Sequence, residues 1–518
     1  MSIALTSSEP DQDRSKDSLE ADSLASGLSF MLGANIVQRA IGFIRNLALC
    51  RFLTDEHLGL WALTSSFFVL AAPFAVFGLP GTLGRMVSSY QTSGQLNVFL
   101  KRIAIGTTVG ALCFASAISM APSASSFVIF GVELSRSTMM LLALALCLVI
   151  LFNSITELLS GLRKPLIVSA MHSCNSLSFT VASFVGVLMH KNWQVLIIAS
   201  AIASVAGLIP AIPAFRNWPK AESDAKPTLS HRAMWKRVLP FAISIWCMNL
   251  LTNLFDVVDR YMLLHLASQT AEQGRALVGQ FHSGRIMPSL LSSLALVLGG
   301  MLLPYLASEW ETGDKRKVAN SLRLTLKCSS IFFVALSIAS ISVAPLLFKH
   351  VLQGKYDGGL EIMPQAMLHC CLAAITCLMQ NYFWCAEQGK KVGIIVAIGL
   401  CINILLNAWW VPQFGLHGAI VATSVAGVTI LSITLFELNR SGVWLGLDSL
   451  AFALLPICIL LGSLPAAVVF SVFLVLMGRT SWLVTKDEKR VLQMAITPMM
   501  KKLRIPAESL WPDNSLNR

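Results

Sequence analysis

Apolar stretches recur along the chain, each closed by a short polar or Gly/Pro-containing break. They fall near 27–53, 58–80, 103–122, 138–159, 165–189, 193–213, 238–266, 276–304, 324–347, 362–385, 391–411, 415–437, 443–461 and 465–484. A helix needs about 20 mostly apolar residues to cross a bilayer, so the pattern predicts about fourteen membrane-spanning helices. The last two form one run from Val443 to Val484, divided at Gly462-Ser463-Leu464-Pro465, a tight-turn signal. Hydropathy leaves open whether that run crosses once or twice.

Polar positions inside the apolar runs carry the next layer of information. The first run contains Asn35, Gln38, Arg39, Arg45 and Asn46. At about 100° per residue, Asn35, Arg39, Gly42 and Asn46 share one helix face, with Gln38 and Arg45 at its edge. An arginine near a span's centre costs roughly 2.5–3.5 kcal/mol on insertion scales, and such residues usually face a wet cavity. In the seventh run Asn249, Asn253, Asp256 and Arg260 recur at helical spacing, so Asp256 and Arg260 are expected to pair along the face, with Asp259 to one side. The eighth run places His282, Arg285, Ser289 and Ser292 on one face. Arg85 follows Gly78, Pro80, Gly81 and Gly84, residues that loosen a helix and expose amides to an anion.

Composition agrees with a membrane protein. The 518 residues are 55% hydrophobic and 13% charged, against about 25% charged in soluble proteins, and the mean hydropathy is +0.69. The net charge of +12 is concentrated in alternate loops. One set holds Arg85, Lys101, Arg102, Arg163, Lys164, Arg216, Lys236, Arg237, Lys315, Arg316, Lys317, Lys390, Lys391 and Arg440. The other holds Arg51, Arg136, Lys191, Arg275, Lys349 and Lys355. The positive-inside rule then places both termini in the cytoplasm. No basic block outside the loops suggests nucleic-acid binding. The twelve cysteines form no CxxC pair and complete no zinc pattern, and no cofactor is expected. Residues 1–26 read as a disordered cytoplasmic tail, and no cleavable signal peptide is evident.

The polar stretch at 214–237 divides the chain. The expected organisation is a six-helix bundle at 27–213, a cytoplasmic linker at 214–237, a second six-helix bundle at 238–437, two extra spans at 438–484, and a basic cytoplasmic tail at 485–518. Six spans per half keep the halves parallel. Glu157 and Glu387 sit at matching inner ends and are read as partners of nearby basic residues, and His172 and His369 as packed side chains.

The motifs Q-R-A-I-G-F-I-R-N (38–46), L-G-L-W-A-L (58–63), G-L-P-G-T-L-G-R-M-V-S-S-Y (78–90), S-G-L-R-K-P (160–165) and D-R-Y-M-L-L (259–264) resemble the multidrug/oligosaccharidyl-lipid/polysaccharide exporter superfamily, and within it the Wzx-type polysaccharide-biosynthesis flippases. The first motif is also similar to the opening helix of lipid II flippases, where two arginines six apart face the cavity; Arg39 and Arg45 match that spacing. Arg85 matches an arginine common after the second helix of Wzx-like proteins, and Arg285 is similar by position. The resemblance implies an all-α polytopic fold of two parallel six-helix bundles in a V plus two C-terminal helices. It implies a transporter in the bacterial cytoplasmic membrane that moves a polyprenyl-diphosphate-linked oligosaccharide outward by alternating access. Membrane lipids, and a polysaccharide polymerase or glycosyltransferase, are the other expected partners.

The cavity cations are then Arg39, Arg45, Arg85 and Arg285, with Asn35, Gln38, Asn46, Asn249 and Asn253 as cavity polar groups. Asp256, Asp259 and Arg260 form a coupling or structural set. A cation-coupled multidrug exporter is the first alternative and would need an unpaired acid, for which Asp256 and Asp259 are the candidates. A membrane glycosyltransferase or ligase is the second. It would need outer-loop acids, and the outer loops offer only isolated Glu133, Asp357 and Glu361.

Overall fold

The computed structural model describes residues 37–216, 230–267, 270–443, 445–480, 482–485 and 488–489. Asn35, the 1–26 tail, most of the 214–237 linker and most of the 485–518 tail lie outside the described residues. Within them the chain is helical. Helix α1 covers 37–52. It is followed by α2 (Asp55–Ala75), α3 (Leu83–Thr92), α4 (Leu96–Met120), α5 (Pro122–Phe130), α6 (Arg136–Gly161), α7 (Pro165–His190), α8 (Gln194–Leu208) and α9 (Ile212–Arg216). The second half holds α10 (His231–Leu266), α11 (Ala271–Gly284), α12 (Ile286–Glu311), α13 (Lys315–His350), α14 (Asp357–Glu361), α15 (Met363–Cys385), α16 (Gly389–Arg440), α17 (Leu447–Leu454) and α18 (Ser463–Arg479).

Local sequence sets several boundaries. Thr54 caps α2 by accepting from His57 N, and Asp55 and Glu56 sit in its first turn, where carboxylates favour the helix dipole. Ser135 and Asp314 cap α6 and α13 in the same way. Glycine at 131 takes φ +66° to close α5, a conformation costly for other residues.

Nine helices among the described residues are long and apolar enough to cross a membrane. This corrects the expectation of about fourteen spans in two six-helix bundles in a V plus two C-terminal helices. The protein is an all-α polytopic membrane protein, but the hydropathy count overshoots for identifiable reasons. The first run is described only from residue 37. Helix α7 is long but carries His172, Ser173, Asn175, Ser176 and Ser178, which lower its apolarity. The runs 391–411 and 415–437 enter that count together as Gly389–Arg440, although the backbone leaves helical φ/ψ at Gly415 and the two limbs pack against each other, Gly399 against Ile430. The 443–484 run gives two short apolar helices, Leu447–Leu461 and Ser463–Arg479. Pro456 lies in a 3₁₀ stretch from Leu455 to Leu461 in the first, where α-helical bonding is lost.

Packing divides the helices by role. Helix α15 is almost wholly buried, whereas the most apolar stretch of α10 is largely exposed. The main core joins α13 and α15 to parts of α1, α12 and α16, and a second core joins α2, α6 and α8 to α11. Helix α10 touches α2 on one side and α16 on the other. It therefore stands between the two sets of helices and can border cavities in each.

Candidate functional site

Helix α1 presents its arginines without acids. The Arg45 guanidinium lies 4.6 Å from the Phe179 ring centroid, and Phe179 stacks on Trp61 at 5.4 Å. The Nε atoms of Arg39 and Arg45 are buried with no hydrogen-bond partner among the described residues. No described carboxylate pairs with either side chain. Asn46 is partly buried on the same helix. Gln38 lines a cavity of about 450 Å³ with Ser160, Arg163, Ser169 and His172.

His172 also lines a second cavity, of about 420 Å³, together with Asn249, Asn253, Asn153 and Glu157. Two of the expected polar groups on α10 thus face the helices of the first half, and Asn253 Nδ2 donates to the Val69 carbonyl at 3.0 Å. Gly78, Pro80 and Gly81 form part of this wall. Gly78 takes φ +69° and lies so near the Ala242 carbonyl that a Cβ would collide with it. Arg85 is exposed on α3 and stacks over Phe241 at 4.9 Å. Glu157, read from sequence as a partner of neighbouring basic residues, forms no ion pair among the described residues and faces the cavity instead.

The acids and bases of α10 separate. Arg260 Nη1 donates to Ser66 Oγ at 2.6 Å, and the Asp256–Arg260 ion pair expected along the helix is not formed. Asp259 is fully buried. Its Oδ1 accepts from Asn407 Nδ2 at 2.7 Å and Asn403 Nδ2 at 3.1 Å, and its Oδ2 accepts from Thr423 Oγ1 at 2.7 Å. Asn403 and Asn407 precede the Gly415 kink of α16 and Thr423 follows it, so the kink brings both limbs onto one carboxylate. Asn407 Oδ1 is buried without a partner, leaving an orphan oxygen beside the acid. Arg285 is near enough to act electrostatically on Asp259, Arg260, His282 and His369, yet forms no ion pair, and its Nη1 is unpartnered.

The sequence singles out Asp259 and Arg285 as site residues but not Thr423, Asn403 or Asn407. Two asparagines at i, i+4 in an apolar helix were the available signal. It also missed the clasp of Arg275 on Glu56 at 2.6 Å, beside which Gln280 Nε2 donates to the Lys355 carbonyl at 3.1 Å and Tyr356 Oη donates to the Leu53 carbonyl at 3.1 Å. Among the described residues no group of three or more His, Cys, Asp or Glu is arranged to hold a metal.

Comparisons with known proteins fit this arrangement. The multidrug transporter solved as "Inward-facing conformation of a multidrug resistance MATE family transporter of the MOP superfamily" aligns over 79% of this chain and 98% of its own, with TM-score 0.62 and 12% identity. "Lipid II flippase MurJ, inward closed conformation" aligns over 87% and 99%, with TM-score 0.65 and 13% identity. The chain thus shares the fold of these transporters. The uncharacterized membrane protein YabM of Bacillus subtilis (strain 168) is 26% identical over 273 residues, 50% of this chain and 49% of the relative. Stage V sporulation protein B of the same organism is 29% identical over 69 residues, 13% of each chain. The alignments thus span about half of the first relative and a smaller part of the second. The model of the family described as "Polysaccharide biosynthesis protein" matches residues 24–310, more than half of the chain, and the chain belongs to that family.

Proposed function

We propose that the protein moves a polyprenyl-diphosphate-linked oligosaccharide from the inner to the outer leaflet by alternating access. The observation that carries this reading is the set of arginines, Arg39, Arg45, Arg260 and Arg285, each with a buried guanidinium nitrogen lacking a partner and no described carboxylate in ion-pairing reach. Leaving such cations unneutralised is costly, and guanidinium is suited to bidentate binding of phosphate. Membership of the polysaccharide biosynthesis family supports the same cargo class, and the loop charges support cytoplasmic termini.

A second reading, cation-coupled multidrug export, is favoured by Asp259. It is a buried acid with no ion-pair partner among the described residues, accepting from Thr423 Oγ1 and from the Nδ2 groups of Asn403 and Asn407, with Asn407 Oδ1 left without a partner. The carboxylate and the orphan Asn407 oxygen suit a small monovalent cation, or a proton on the acid. That feature is compatible with either cargo, and the cargo separates the readings. Several similar solved structures are MATE transporters, which adds weight to drug export.

The experiment is transport by purified protein in liposomes, with a fluorescent polyprenyl-diphosphate sugar and, separately, tetraphenylphosphonium. The proposal expects movement of the lipid-linked sugar, lost in Arg39→Ala and in Arg285→Ala. Transport of tetraphenylphosphonium alone, abolished by Asp259→Asn, would establish the second reading instead.

A further inference from the structure

A third cavity, of about 480 Å³, lies on the other flank of α10, enclosed by α12, α15 and α16. Its wall is a polar stripe on α15, with His369, Ala373, Thr376 and Gln380 at spacings of four, three and four. Thr252 and Asp256 of α10 face it, Phe255 and Trp384 add aromatic surface, and Gly299 and Gly300 keep the α12 side open. Helix α10 therefore separates two cavities, with Asn249 and Asn253 on one and Thr252 and Asp256 on the other.

The polar atoms of this stripe are left unsatisfied. His369 Nδ1, Thr376 Oγ1 and Gln380 Nε2 are buried and have no hydrogen-bond partner among the described residues. His369 is 4% exposed and Thr376 6%. Each such group costs roughly 1–3 kcal/mol when unpaired, so three on one helix face imply that something else supplies their bonds. Their chemistry restricts what that is. Gln380 Nε2 only donates, the Asp256 carboxylate offers acceptor oxygens, and the Thr376 hydroxyl does both. An organic cation would satisfy Asp256 but leave Gln380 Nε2 unmet, and it would enter the field of Arg260 and Arg285. A phosphate would satisfy Gln380 but face Asp256. Hydroxyl groups donate and accept, so a polyol matches every group in the wall, and exposed Trp384 at the rim offers an apolar face for a sugar ring. The volume lies within the range of about 300–1,000 Å³ usual for small-ligand pockets.

We infer that this cavity is a saccharide subsite, taking sugar units of the cargo while the arginines take its diphosphate. The inference rests on the proposed cargo, and it adds a place and a set of residues for the carbohydrate that the arginines do not supply. Asp256 and Gln380 orient sugar hydroxyls from opposite walls, Thr376 bridges donor and acceptor roles, and Trp384 covers a ring face.

The test is saturation-transfer NMR on the full chain in nanodiscs with maltose, lactose and N,N′-diacetylchitobiose, alongside tetraphenylphosphonium and pyrophosphate. The variants are Thr376→Val, Gln380→Leu and their double, which keep volume and remove the unpaired groups. At least one disaccharide should bind the wild type and bind the double variant roughly tenfold more weakly, with pyrophosphate binding unchanged. Disaccharide binding indifferent to the double variant, or absent from the wild type, overturns the subsite. So does a loss confined to tetraphenylphosphonium. If sugar binding follows the expected pattern but lipid-linked sugar is not moved in liposomes, the subsite stands and the transport reading fails. If transport is intact and the double variant changes nothing, the transport reading stands and the subsite fails.

Discussion

Arg275 grips Glu56 with two nitrogens, Nε at 2.9 Å and Nη2 at 2.6 Å. The pair joins α11 to the start of α2 where their backbones run in contact. A Cβ built on Gly59 would collide with the Arg275 carbonyl, and one on Gly279 with the Asp55 carbonyl. Glycine at both positions lets the helices close, and the ion pair holds the closed end. At the other end of α2 the segment from Gly78 to Gly81 lies against Ala242, Ile245 and Trp246 of α10. One helix thus touches the second half at both of its ends, which is where an alternating-access cycle must make and break contact.

Breaking the clasp should open that end. A hydrogen-bonded charge contributes about 1.5–3 kcal/mol, so Arg275→Gln should raise the open population roughly ten- to hundredfold. Cys50 is fully buried beneath this closure, near Tyr356. Its alkylation by a membrane-impermeant maleimide, followed by mass spectrometry of the Cys50 peptide, should accelerate in Arg275→Gln and in Gly279→Val. Unchanged Cys50 labelling in both would show that the contact does not gate access.

The Asp259 cluster should report cation binding without any transport assay. A ligand that binds only the folded protein stabilises it by RT ln(1 + [L]/Kd), about 2.7 kcal/mol at a hundredfold excess over Kd. Sodium is expected to raise the melting temperature of the wild type, measured at constant ionic strength against choline chloride. Asp259→Asn should abolish the shift, and Thr423→Val should reduce it. A shift that survives in Asp259→Asn places the cation elsewhere.

Much of this was legible in the chain. The arginine spacing on α1 follows from the helical period, and the structure leaves Arg39 and Arg45 without acids. Asn249 and Asn253 share a face and do line one cavity. What escaped depends on partners distant in sequence. Helical spacing states that Asp256 can meet Arg260, but not that Ser66 on α2 offers Arg260 a better contact. Thr423 reaches Asp259 only because the chain turns at Gly415, and hydropathy, which separates 391–411 from 415–437, does not show that the two limbs meet on one carboxylate.

The bend itself is testable. Gly415 takes φ +52° and ψ −121°, a region that a residue with a Cβ enters at a cost of about 1–3 kcal/mol. No side chain crowds the position, so Gly415→Ala should strain the backbone without a clash. The relief available is a wider angle between the two limbs joined at Gly415, which moves Thr423 away from Asn403 and Asn407. Gly415→Ala should therefore weaken the sodium-dependent melting shift more than it lowers the melting temperature in choline. A loss of stability with an intact sodium shift would separate the kink from the cluster.

Lys327 supplies the last prediction. Only 2% of its side chain is exposed, and its Nζ lies 2.7 Å from Asp448 Oδ2 and 2.8 Å from Glu488 Oε2. Arg323 adds a second bond to Asp448 at 3.2 Å. Thr485 and Glu488 exchange side-chain to backbone bonds at 2.8 and 3.3 Å, the reciprocal capping pattern of a helix start. That pattern fixes Glu488 where α13 presents Lys327, so a buried cation ties Glu488 to the core, beside Leu483 and Val484 packed on Phe452. Removing one member of a buried pair costs roughly 3–5 kcal/mol, because the remaining charges lose their partner. Lys327→Met should lower the melting temperature sharply. Adding Glu488→Gln should recover part of the loss, since Glu488 is the acid left without its cation while Asp448 keeps Arg323. If the double variant is no more stable than Lys327→Met, the cost lies in packing around the lysine stem and not in the uncompensated carboxylates.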